Sequence, residues 1–142
     1  MSDFSAQSAV GVLVVGHGAT ASRLLSAALD IAPAGTLTSV EAVDAGPGES
    51  PEFARAICQG VLRVDHGRGV VVMVDLLGAS PCTCAQQQGG THDLIVLSGL
   101  NLAMLLKLAS LNLTRLTARE VADACAESAR RAVAVSTQER IS

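Results

Sequence analysis

The sequence contains no tryptophan, no tyrosine and only 2 phenylalanines among its 142 residues. Single-stranded nucleic acid is held by stacked aromatic rings in a basic groove. This chain offers neither, because 10 Lys and Arg are outnumbered by 13 Asp and Glu, for a formal net charge of -3. Nucleic acid is therefore not an expected partner. Long hydrophobic runs are also missing: none reaches the roughly 18 residues that a membrane span requires. The first residues, Met1 to Ser8, lack the charged start and apolar stretch of a secretory signal. The expectation is a cytoplasmic protein without direct membrane insertion. Cysteine is sparse, and Cys58, Cys82, Cys84 and Cys125 form no regular framework, so four free thiols are expected. Cys82 and Cys84 make a C-x-C with no second pair, unlike the spacing of zinc sites, and neither a metal nor a cofactor is expected.

What is present is aliphatic. Hydrophobic residues make up 49% of the chain and aromatic residues 1%, so the core must be built from Val, Leu, Ile and Ala. Continuous apolar runs without alternation are the mark of strands buried on both faces. Three runs have this form: Val10 to Val15, Val70 to Val74 and Leu94 to Leu97. Thr36 to Val43 is a weaker, edge-ward strand.

Helical stretches lie between the strands. In Thr20 to Ile31, residues Leu24, Leu25, Ala28 and Leu29 fall on one face. Ser50-Pro51 sets a capping side chain before a Pro at the first helical position and opens a helix to Val64; Ser80-Pro81 repeats the signature for a helix ending near Gly89-Gly90. Asn101 caps a helix through Leu108, and Thr117-Ala118-Arg119-Glu120 is a capping-box pattern opening a last helix to about Val135. Alternating strands and helices make an α/β fold, a mainly parallel open sheet of order 2-1-3-4 with helices on both faces. One domain, residues 10–135, is expected between a disordered tail, 1–9, and a frayed one, 136–142. Leu111 to Leu116 is a short segment of strand character, able either to close the sheet edge or to pair with another subunit.

In an open parallel sheet, ligands bind beyond the carboxyl ends of the strands where the winding reverses. Three loops meet that description: Gly16-His17-Gly18-Ala19-Thr20, Asp75-Leu76-Leu77-Gly78-Ala79-Ser80-Pro81 and Ser98-Gly99-Leu100-Asn101. A His between two glycines is approachable by a phosphate or a partner's side chain, and helix starts near Thr20 and Ser80 offer N–H groups and partial positive charge to an anion. A neutral imidazole can attack phosphorus, and a carboxylate decides which ring nitrogen is free. With the order 2-1-3-4, Asp75 lies close enough to take the Nδ1 proton of His17 in a hydrogen bond and leave Nε2 as the nucleophile. Gly18, Gly78, Ala79 and Ser80 are the candidate phosphate-binding residues. His66, in a polar turn, and His92, before the fourth strand, carry no role. Gly16-His17-Gly18 is no dinucleotide fingerprint, since the third glycine would be Ala21.

The runs VVGHGATASRLLSAA, VVVMVDLLGASP and SGLNLAMLLKLAS resemble, in order and spacing, the mannose-type IIA domains of the bacterial phosphoenolpyruvate-dependent sugar phosphotransferase system. The resemblance implies that His17 is phosphorylated by the phosphocarrier HPr and passes the group to a IIB component, with Asp75 as its hydrogen-bond partner and Ser80 helping to hold the phosphoryl group. It implies a homodimer in which a C-terminal strand crosses to the neighbouring subunit, and Leu111 to Leu116 is the segment read as able to do so. The aspartate loop departs from the family in Leu76-Leu77-Gly78-Ala79, and Cys82 stands where Phe is common. Two alternatives remain on this reading: a regulator whose partner binding depends on His17 phosphorylation, and the phosphotransfer subunit of dihydroxyacetone kinase, whose Met-Gly-Ser type loop fits Asp75-Leu76-Leu77-Gly78 less well.

Overall fold

The computed structural model describes residues 8–46, 50–76 and 93–139. Strands β1 (Gly11–Gly16), β2 (Glu41–Asp44), β3 (Val70–Val74) and β4 (Leu94–Ser98) form one sheet of order β2-β1-β3-β4, every pairing parallel. Four helices are described: α1 (Thr20–Ile31), α2 (Pro51–Val64), α3 (Leu102–Leu108) and α4 (Ala118–Arg131). The sheet order and the α/β class are those expected. The expected helix from Ser80-Pro81 lies outside the described residues.

Successive side chains of a strand point to opposite faces, and both faces here are covered. Val10, Val12, Val14, Val71 and Met73 pack with Ala21, Leu25 and Ala28 of α1, Met104, Leu105 and Leu108 of α3, and Val121, Ala122 and Cys125 of α4. Leu13, Val15, Val43, Val70, Val72 and Val74 pack on the other side against Phe53, Ile57, Val61 and Val64 of α2. Two-sided burial is what removes alternation from the strand sequences. The expected caps form: Ser50 accepts from the N–H of Phe53, Asn101 from that of Met104, and Thr117 and Glu120 complete a reciprocal capping box.

Three local expectations are corrected. The second strand is shorter than Thr36 to Val43 because Thr36 turns back on Pro33, through both N–H and hydroxyl, and Val40 N–H bonds the Leu37 carbonyl. Leu111 to Leu116 is a turn and no strand: the Asn112 side chain accepts from the N–H and the hydroxyl of Thr114, and the Asn112 carbonyl accepts from Arg115 and Leu116. Asparagine side chains compete in this way with regular structure. The turn packs on its own chain, with Leu111, Leu113 and Leu116 against the core and the Leu113 carbonyl bonded to Val10 N–H. The last helix stops at Arg131 instead of Val135, since its buried stripe ends at Ala129 and Val133 and Val135 lie exposed. The thiol expectation also needs correction: Cys125 is free and buried, but Cys58, on α2, is disulfide-bonded, a pairing that depends on folded proximity and not on spacing along the chain.

Candidate functional site

The carboxyl ends of β1 and β3 lie side by side, with Val15 level with Val74. His17 and Asp75 each follow at once. This brings together two residues 58 positions apart, and Asp75 holds His17 twice. Its Oδ2 accepts the backbone N–H of His17 at 2.8 Å, and its carboxylate lies 3.1 to 3.2 Å from His17 Nδ1. Oδ1 also accepts the N–H of Leu76 at 2.8 Å. Partial burial pushes the Asp75 carboxyl up, but the N–H of His17, its ring, and the N–H of Leu76 outweigh that effect and hold it below the ordinary carboxylate value. The carboxylate is therefore ionised at neutral pH and acts as an acceptor.

An acceptor at Nδ1 selects the tautomer in which Nδ1 carries the proton. The lone pair is then on Nε2. The side chain of His17 is 51% exposed against 20% for Asp75, so the less exposed partner orients and the more exposed one is open to approach.

Gly16 makes this approach possible. A Cβ there would lie 3.1 Å from both Ala21 N and Thr20 Cβ and 3.5 Å from Asp75 Oδ2, so a side chain would press on the turn and on the carboxylate. Gly18 has φ +56°, in the left-handed region, and exchanges two backbone bonds with Gly46, at 3.0 and 3.2 Å. These tie the His17 loop to the chain leaving β2.

The helix start beside His17 is less open than the sequence suggests. Thr20 N–H donates to the His17 carbonyl at 3.0 Å, and Ser22 N–H to Asp44 Oδ1 at 3.0 Å. Two donors expected to greet an anion are thus engaged within the chain. Asp44, Ser22 and Gly46 are site neighbours that the loop motifs do not reveal; the signal for them is the position of Asp44 at the end of β2, level with Gly16. Gly78, Ala79 and Ser80, along with Leu77, Cys82, Cys84 and His92, lie outside the described residues. His66 is exposed and distant from this arrangement in the chain's turn after α2. Among the described residues, no three His, Cys, Asp or Glu side chains are grouped so as to hold a metal, and no helix is long and apolar enough to cross a membrane.

The chain matches the family model described as the PTS system fructose IIA component, EIIA-man, over residues 11–126. Among solved structures, it is similar to the mannose/sorbose specific IIA subunit of the phosphotransferase system from Enterococcus faecalis, at 23% identity and a TM-score of 0.71, covering 94% of this chain and 99% of that one. The PTS IIA protein associated with the fucose utilization operon from Streptococcus pneumoniae is 25% identical with a TM-score of 0.69, covering 89% and 93%. A sigma-54 interaction domain protein from Enterococcus faecalis shares the fold at 17% identity and a TM-score of 0.70, covering 89% and 94%. No curated protein matches the chain.

Proposed function

The chain belongs to the EIIA-man family of phosphotransferase-system IIA components, and from that premise we propose that it is a phosphohistidine carrier, accepting a phosphoryl group on Nε2 of His17 and passing it on. The observation that carries this reading is the pairing of an exposed His17 ring with the Asp75 carboxylate at Nδ1.

The chemistry follows from that pairing. The Nε2 lone pair forms the new N–P bond while the bond from phosphorus to the donor breaks, the donor atom keeping the electron pair. The ring of His17 gains positive charge as the bond forms. The Asp75 carboxylate lies where that charge is shared with Nδ1–H and stabilises it. Transfer onward reverses the steps. On the family premise the donor is phospho-HPr and the acceptor a IIB component, and the work takes place in the cytoplasm. Ser80, with Gly78, Ala79 and Gly18, remains assigned to the phosphoryl oxygens.

A homodimer completes the reading. The segment suited to cross between subunits is the one after α4, where Val133 is 81% and Val135 100% exposed, instead of Leu111 to Leu116. The edge strand β4, whose residues are only partly buried, is where a crossing strand would pair.

The likeness to a sigma-54 interaction domain protein supports a second reading, in which the same phosphorylation changes which protein is bound. Intact-mass spectrometry after incubation with phosphoenolpyruvate, Enzyme I and HPr tests the first step of both. One acid-labile phosphate on the wild type and none on His17→Ala is the expected result; no phosphate with cognate donors overturns the carrier. A IIB acceptor that drains the phosphate separates transport from regulation.

A further inference from the structure

Helix α1 begins without a cap of its own. Ala19 stands at its N-cap position and has no side chain to bond the first turn. The place is taken from β2: Asp44 Oδ1 accepts the N–H of Ser22 at 3.0 Å, and Asp44 Oδ2 accepts the hydroxyl of Ser22 at 2.5 Å. The third N–H of a helix is the one a cap residue ordinarily satisfies, and here a carboxylate 22 positions further along the chain does so.

The consequence reaches His17 through the backbone. The first turn that Asp44 holds also contains Thr20, whose N–H bonds the His17 carbonyl at 3.0 Å. Just beyond Asp44, Ala45 N–H bonds the Gly16 carbonyl at 2.9 Å and Gly46 exchanges bonds with Gly18. The bend that carries His17 is therefore fixed from the β2 side by Asp44 and its neighbours, as it is from the β3 side by Asp75.

We propose that Asp44, acting through Ser22, is a positioning residue for His17: it fixes the first turn of α1, and with it the bend after β1, so that the imidazole meets Asp75 and its phosphoryl donor in one orientation. The proposal rests on the reading of His17 as the phosphorylated residue. Geometric fixing of a reacting group is worth a large factor in rate, and a misplacement of about 1 Å can cost roughly a hundredfold.

The test compares the full chain as wild type, Asp44→Ala, Asp44→Asn and Asp44→Val by nitrogen-15 NMR of the His17 ring and by the rate of phosphorylation from phospho-HPr. In the wild type the ring is held as the Nδ1-protonated tautomer. Asp44→Ala is expected to turn this into a mixture of tautomers and to lower kcat by about tenfold with KM little changed. Asp44→Asn recovers most of the rate, because its amide oxygen still accepts the Ser22 N–H. Wild-type ring signals and kcat in Asp44→Ala, with only a lower Tm, would overturn the proposal and leave Asp44 a structural cap. Should Asp44→Ala fail to fold, Asp44→Val, which keeps a strand-forming side chain but offers no acceptor to the Ser22 N–H, decides: a shifted tautomer balance supports positioning and unchanged signals overturn it. A wild type that takes no phosphate sinks the carrier reading, while the ring signals still decide whether Asp44 positions His17.

Discussion

Asp75 grips His17 at two separate points, the backbone N–H at 2.8 Å and ring Nδ1 at 3.1 Å, with one oxygen, Oδ2, serving both. The carboxylate thus sets where the residue sits and which way its ring is protonated.

Replacing Asp75 by Ala removes the acceptor without opening the core, since the side chain lies at the sheet's end and not within either apolar cluster. Phosphorylation of His17 is expected to slow by roughly 10- to 100-fold, by analogy with the cost of losing a group that orients a metal-ligating imidazole. Circular dichroism should remain that of the wild type. Stopped-flow or quenched-flow transfer from phospho-HPr measures the rate.

The lowered Asp75 value fixes a direction for the pH dependence. A carboxyl whose folded value lies below its unfolded one contributes stability above the unfolded value and loses it as pH falls through the folded one. The Asp75–His17 contact should therefore persist at pH 5 and weaken only below the ordinary carboxylate range, near pH 4. Ring signals of His17 followed through an acid titration check this, and Asp75→Asn should remove that acid-side change.

Cys125 lies within the α4 face of the core, where burial pushes its thiol up to about 11, with Lys107 opposing the rise. The thiolate is the reactive form. Native protein at pH 8 should leave Cys125 unlabelled by a maleimide, and denatured protein should label it. The unfolded thiol releases its proton first, so this group lowers stability as pH rises from about 9 toward 11, which denaturant melts across that range would register.

Thr117→Ala breaks the capping box at the start of α4, where Thr117 accepts from Glu120 N–H at 3.1 Å. The expected loss is about 1 kcal/mol of stability, read from urea midpoints. The rate of phosphorylation should not change, because the helix start lies beyond the opposite end of the sheet from His17.

Much of this architecture was legible in the sequence because it rests on local signals. The apolar runs of β1, β3 and β4 carry no alternation because they are buried twice over, and the caps at Ser50, Asn101 and Thr117 are set by one side chain each. The sheet order that follows from them sets β1 beside β3, and that alone brings His17 and Asp75 together. Long-range chemistry was harder to read. That Asp44 caps α1 depends on the register of β2 against β1, which no spacing reveals. Leu111 to Leu116 has the apolar content of a strand, but Asn112 offers its backbone a turn, and a single side chain outweighed the pattern. The bonded state of Cys58 depends on folded proximity in the same way.

The three residues that organise the site, His17, Asp44 and Asp75, come from the ends of three different strands, and the first and last are 58 positions apart. Contacts so distant along the chain require long loops to close first and form slowly. The pairing of His17 with Asp75, and with it the competence proposed for the ring, is accordingly a late event in the birth of the molecule. A nascent or half-folded chain can display the histidine but not its paired, oriented ring, so on the proposed carrier reading a phosphoryl donor meets a competent acceptor only once all three strands are in register.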